Sequence, residues 1–194
     1  MPPDLDVRAR IAREATRLFA AQGYAGTSVR EIVQAAGVTK PTLYYYFGNK
    51  EGLFTTLVDE YFSAWVDTAQ ELIAAEGSPL ERMLDYVRTT IRGAAEQPDV
   101  LRFVAMAYHQ SGQGAPAVDC NRFIAEEAKL LAALAEEASH AGELRPELQP
   151  ADVAMSLMGM VHFRVGANIH ASVPLTDEAA EAIVQIFRKG VESP

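Results

Sequence analysis

The sequence predicts an all-α protein: an N-terminal three-helix unit containing a helix-turn-helix, followed by a helical bundle, about nine helices in total. Three observations carry this expectation. Apolar residues recur at helical spacing through most of the chain, and no stretch alternates as a half-buried strand does. Ser28 with Glu31, and Ser78 with Glu81, have the spacing of capping boxes that open helices. Gly37, Pro98 and the SGQGAPA stretch at 111–117 punctuate the periodic segments.

Taken in order, residues 6–22 form the first expected helix. The second covers 28–36, with Ser28 as cap and Val29, Ile32, Val33 and Ala36 on one face. Gly37 supplies the tight backbone for a turn, and Val38 can plug the corner. Thr39 caps a third helix over 40–46, with Pro41 in its first turn, where missing N–H groups cost little. Asn49 caps a fourth, from about 50 to 75, which carries Leu53, Leu57, Tyr61, Trp65 and Leu72 on related faces. Ser78 and Pro79 open a fifth helix that runs to about 96. The segment 99–110 is apolar nearly all round, so protein should surround it. After the loop at 111–117 come helices near 118–141, 150–170 and 177–191. No internal repeat or low-complexity segment interrupts this order. The expected division is a helix-turn-helix domain over 1–48 and a six-helix body over 49–194.

The third helix has the more informative surface. Leu43 and Phe47 share a side that should pack inward. Lys40, Pro41, Tyr44 and Tyr45 form a different, outward surface, with Thr42 and Tyr46 beside them. Three consecutive tyrosines cannot all be buried on so short a helix. Those facing out offer an apolar body and a hydroxyl able to reach phosphate. Lys50 falls in the first turn of the fourth helix, where a cation opposes the helix dipole at a cost of about 0.3–1 kcal/mol. A nearby phosphate would reverse that sign. Two helices across a short glycine turn are a common way to seat a helix in the major groove.

Residues 8–54 resemble the DNA-binding domain of the TetR family of bacterial transcriptional regulators. The resemblance rests on Ile11, Ala15, Leu18 and Phe19, then Gly23-Tyr24, Thr27-Ser28, Ile32, Ala35-Ala36-Gly37-Val38-Thr39, Leu43-Tyr44, Tyr46-Phe47 and Asn49-Lys50-Glu51-Gly52-Leu53-Phe54. It covers about a quarter of the chain. It implies that Arg30 reaches a base edge and that Lys40, Pro41, Tyr44 and Tyr45 face the groove. Thr42, Tyr46 and Lys50 match phosphate contacts, and Thr27, Ser28 and Thr39 complete the expected DNA-binding set. The base read by Lys40 is not inferable, although guanine O6/N7 suits its geometry.

Charge distribution agrees with a reading head on an acidic body. Residues 1–50 carry seven Lys/Arg against four Asp/Glu, and residues 51–194 ten against twenty-two, within a net charge of −9. A single cysteine, Cys120, excludes an intrachain disulfide and a zinc cluster. No signal-peptide pattern or membrane-spanning run is present, so a cytoplasmic protein is expected. The four histidines (His109, His140, His162 and His170) lack metal-ligand spacing, and neither a nucleophile elbow nor a phosphate loop occurs. No cofactor, metal or catalytic residue is therefore expected.

Within the body, Phe62, Trp65, Met83, Tyr86, Phe103, Met106, Phe123, Met155 and Met158 are candidate walls of a ligand chamber, with Arg102, His109 and His162 as polar anchors. Small residues on the helix at 153–167 favour close helix approach. Met160, Phe163 and Ala167 there, with Ile183, Ile186 and Phe187 on the last helix, are candidate dimer contacts. The resemblance also implies a homodimer. The combined reading is a homodimeric repressor released from a pseudo-palindromic operator by a small hydrophobic effector. An activator, an architectural helix-turn-helix protein without effector, and a helical enzyme are the alternatives.

Overall fold

The computed structural model describes residues 3–110, 112 and 114–193. Among them nine helices follow one another: α1 (Pro3–Gly26), α2 (Val29–Ala36), α3 (Lys40–Phe47), α4 (Lys50–Ala74), α5 (Pro79–Glu96), α6 (Pro98–Gln110), α7 (Asn121–His140), α8 (Pro150–Ala171) and α9 (Asp177–Val191). Among the described residues no strand forms, and Leu144 and Glu192 make an isolated antiparallel bridge. Of the loop expected at 111–117, residues 111 and 113 lie outside the described set. Gly112 N–H donates to the Ala115 carbonyl at 3.2 Å.

Two compact units emerge. The first contains α1, α2, α3, α4 as far as Ser63, and α6, so the unit that holds the helix-turn-helix extends past residue 48 and takes in a helix from later in the chain. Its core is aromatic. The Phe103 ring of α6 lies 5.4 Å from Phe54, 6.0 Å from Phe19 and 5.8 Å from Tyr61, centroid to centroid. Phe19, Phe54 and Phe103 are fully buried, each contributing about 1.5–3 kcal/mol by removal from water. Around them pack Ile11, Ala15, Ile32, Leu43 and Leu53, drawn from all four N-terminal helices.

The α6 helix is not surrounded as its composition predicted. Leu101, Phe103 and Ala107 are buried, but Tyr108 is 45% exposed. Arg102 faces out and pairs with Asp99 one turn earlier at 3.6 Å. An apolar residue on a helix thus marks capacity for burial rather than burial itself.

The second unit holds α4 from Ala64, then α5, α7, α8 and α9. Helix α7 packs on α5 and α8, and α5 on α9. Met83, Leu84, Val87, Leu131, Leu134, Leu157, Val161 and Val184 fill its centre. Ser78 caps α5 by accepting from the Glu81 N–H at 3.3 Å. The Glu81 carboxylate, expected to complete that capping box, meets Arg188 of α9 at 2.6 Å. A charged hydrogen bond to a guanidinium competes well with a neutral one to the cap N–H.

Candidate DNA-binding surface

Helix α2 starts as its sequence requires. Ser28 Oγ accepts from Glu31 N–H at 3.2 Å, and the Glu31 carboxylate accepts from Ser28 N–H at 2.8 Å. Hydrogen bonds from Ser28 hold the Glu31 carboxyl below the usual glutamate range. Substituting such a cap costs about 1 kcal/mol. At the other end Gly37 adopts φ 64°, a left-handed conformation, and its N–H and that of Val38 close the helix on Gln34 and Val33. The turn leads to Thr39, whose Oγ1 accepts from Thr42 N–H at 3.4 Å and lies 2.9 Å from Thr42 Oγ1.

Helix α3 then presents two faces. Leu43 and Phe47 are buried, while Tyr45 is 78% and Tyr44 44% exposed. Lys40 and Pro41 are exposed beside them, and Thr42 and Tyr46 are half-buried. The Tyr45 and Tyr46 rings meet edge to face at 5.0 Å, which gives the outer aromatic surface a fixed shape. Arg30 of α2 is also exposed. This surface combines cation, phenol and hydroxyl groups, the chemistry that contacts phosphate and base edges.

Three expected members of the set are engaged within the protein. Thr27 is 1% exposed and its Oγ1 donates to the Gly23 carbonyl at 2.9 Å, so its side chain cannot face DNA. Ser28 Oγ is committed to the α2 cap. Lys50 Nζ donates to the carbonyls of Tyr24 and Thr27, both at 2.9 Å, and lies 4.0 Å over the Tyr24 ring. The expected conflict between this cation and the α4 dipole is thus resolved internally, by two carbonyl acceptors and a π face. Desolvation pushes the Lys50 ammonium below its ordinary value.

Gly52 has a positional role that the capping signals do not reveal. A Cβ built there would meet the Phe47 carbonyl oxygen at 2.3 Å. The first turn of α4, capped by Asn49 Oδ1 accepting from Gly52 N–H at 2.7 Å, therefore packs directly on the end of α3. Its signal in the sequence was a glycine inside a helix start with no turn to explain it.

The candidate ligand residues divide between the two units. Phe62, Arg102, Phe103, Met106 and His109 belong to the first, and Trp65, Met83, Tyr86, Phe123, Met155, Met158 and His162 to the second. Met83, Tyr86 and Met158 are buried, and Trp65, Phe123 and His162 half-buried. Met155 is 59% exposed, on the outer face of α8 instead of the interior. Among the candidate dimer contacts, Phe163 and Ile186 are the exposed ones at 81% and 64%, and Met160 and Ala167 are half-buried. Ile183 and Phe187 point inward, into the second unit's own core, at 8% and 3% exposure. The helical repeat turns both of them about 60–100° around α9 from Ile186, enough to pass from solvent to core.

Among the described residues no group of His, Cys, Asp and Glu could hold a metal ion. No described helix is long and apolar enough to cross a membrane.

A short helix with an exposed cationic and phenolic face, presented across a glycine turn, has the form of a helix-turn-helix, the motif that seats a helix in the DNA major groove. Residues 11–57 match the family model described as bacterial regulatory proteins, tetR family. Over this segment, about a quarter of the chain, it is similar to the DNA-binding part of the TetR family of bacterial transcriptional regulators. It is 38% identical over 74 residues to the HTH-type transcriptional repressor ComR of Escherichia coli (strain K12), a match that spans 38% of this chain and 35% of ComR. A TetR family transcription regulator from Marinobacter aquaeolei VT8 superposes with a TM-score of 0.74 at 22% identity, over 98% of each chain. The regulator FadR from Bacillus subtilis, solved in complex with stearoyl-CoA, superposes with a TM-score of 0.73 at 18% identity, over 94% of this chain and 98% of that one. The chain spans 35% and 52% of the lengths of the first two curated relatives, whereas the fold likeness to the two solved structures covers 98% and 94% of it.

Proposed function

We propose that the chain is a ligand-responsive transcriptional repressor that acts as a homodimer on a pseudo-palindromic operator. The observation that carries this reading is the outward face of α3: Lys40, Pro41, Tyr44 and Tyr45 are exposed while Leu43 and Phe47 anchor the helix. We assign Lys40, Pro41, Tyr44 and Tyr45 to the groove, Arg30 to its edge, and Thr39, Thr42 and Tyr46 to the flanking phosphates. Lys50, Thr27 and Ser28 hold the turn that positions them. One helix this short reads few bases, so tight specific binding calls for a second copy on the adjacent groove. The exposed Met155, Phe163 and Ile186 of α8 and α9 supply an apolar face for that pairing.

The functional division we assign is a reading head over 1–48 and a sensing and pairing body over 49–194, with a small apolar effector and no catalytic step. The FadR complex with stearoyl-CoA supports a fold of this kind holding a small molecule. The effector would act by its differential affinity for DNA-competent and DNA-incompetent arrangements. The test is selection of bound duplexes from a random pool at two salt concentrations. Enrichment of an inverted repeat is expected, with Lys40→Ala and Tyr45→Ala each losing it while circular dichroism stays unchanged. Enrichment of no motif, or full affinity in both variants, sinks the assignment.

A further inference from the structure

One cluster in the second unit has no part in DNA reading or in pairing. Trp65 of α4, Tyr86 of α5, Glu127 of α7 and His162 of α8 converge on one point. Glu127 is the buried acid, 4% exposed. The Tyr86 hydroxyl donates to its Oε1. His162 Nε2 comes within 3.1 Å of its Oε2, yet off the line of a hydrogen bond. The Trp65 ring meets His162 edge to face at 5.5 Å, and the buried Trp65 Nε1 faces the Tyr86 hydroxyl with poor hydrogen-bond alignment.

A carboxylate withdrawn from water costs several kcal/mol unless charge and hydrogen bonds answer it. Tyr86 supplies a hydrogen bond and no charge. Burial, and then the Glu127 carboxylate, push its phenol well above the ordinary value, so it remains a neutral donor. His162 supplies charge only when protonated, and its approach is poorly aligned. Oε2 is thus left with weak compensation, next to two aromatic side chains. A buried acid beside indole and phenol answers the two demands of an organic cation, a counter-charge and a π surface. The cluster lies close to the surface on one side, where the His162 side chain is 32% exposed although its Nε2 is buried.

We propose that Glu127, Tyr86, Trp65 and His162 form a recognition site for a protonated amine carried on an apolar or aromatic body. The proposal rests on the reading of the body as a sensing module and names the chemistry of what it senses. The ammonium would sit at Glu127 Oε2, in the place His162 now approaches, with the apolar part against Trp65. Met83 and Met158, buried on α5 and α8, belong to the same unit and suit a variable apolar body.

Trp65 is the one tryptophan of the chain, so its emission reports directly on this site. The full chain is titrated with 4-phenylbutylamine, with 4-phenylbutan-1-ol as neutral and 4-phenylbutanoate as anionic isostere. The expected result is saturable change in Trp65 emission, with the amine ~10-fold or more tighter than either isostere. Glu127→Gln should remove that preference while leaving the alcohol unchanged. Equal affinity for all three probes overturns the cation site and leaves a sensing body standing. A Glu127→Gln variant that folds and keeps the amine preference overturns it too. Absence of any emission change overturns the site, and operator release by other compounds then tests the sensing reading separately.

Discussion

Lys50 is bound to the backbone of Tyr24 and to its ring at once: Nζ donates to the carbonyl at 2.9 Å and lies 4.0 Å from the ring centroid. With the second acceptor, the Thr27 carbonyl, this joint ties the start of α4 to the end of α1 and the residue that follows it, and so orients the helix-turn-helix without touching the outward face of α3. Lys50→Met keeps the apolar stem and removes the charge. It should lower stability by about 1–2 kcal/mol, the worth of charge-assisted hydrogen bonds at a half-buried site, measured by urea denaturation. Operator affinity should fall with the slope of log affinity against log salt unchanged. A slope reduced by about one charge would instead place the ammonium on a phosphate.

Gly52→Ala tests the close approach of α4 to α3. Its Cβ would collide with the Phe47 carbonyl, and backbone rather than a flexible side chain must yield. A loss of about 1–3 kcal/mol is expected, together with weaker operator binding. An alanine variant as stable as the parent in thermal denaturation would show that the turn has slack.

Glu31 gives a pH signature for the α2 cap. Its carboxyl is held below the ordinary range, first by Ser28 Oγ and then by Ser28 N–H. Its contribution to stability is complete above the unfolded-chain value and is lost as pH falls through the lowered folded value. Carbon-13 titration of the Glu31 carboxyl should find it depressed, and Ser28→Ala should return it toward an ordinary glutamate. An unchanged titration in that variant would mean that Ser28 is not the cause.

Phe163 and Ile186 test the pairing face. Phe163→Glu with Ile186→Glu places two carboxylates on surface that is exposed in the single chain, so the fold should survive with a stability change of about 0.5 kcal/mol or less. Sedimentation should find the parent a dimer and the double variant a monomer, and operator affinity should collapse with it. A dimer persisting in the double variant would move the interface elsewhere.

Helix α3 was legible because its determinants are local. The Thr39 cap, the Gly37 turn and the spacing of Leu43 and Phe47 all act within a few residues. Helix α9 was legible only as a helix. Spacing separates Ile186 from Ile183 and Phe187, but which side meets water depends on what α5 and α8 place against it. Lys50 illustrates the same boundary, since its acceptors lie 26 and 23 residues away and no local pattern announces them. The Tyr86–Glu127 pair spans 41 residues across two helices, and in the sequence the glutamate looked like any surface acid of an acidic body. Gly52 was visible as a motif glycine, but its reason is a backbone contact that only the fold creates.

The Phe103 ring carries a consequence for how the reading head could be handled. Its α6 closes the aromatic core against Phe19, Phe54 and Tyr61, although it arrives in the chain well after the helix-turn-helix is complete. A fragment cut after Ser63 would keep every side chain we assign to DNA and yet open Phe19 and Phe54 to water. Transplanting the head onto another protein as a cassette would therefore need α6, or an apolar substitute for it, to travel along.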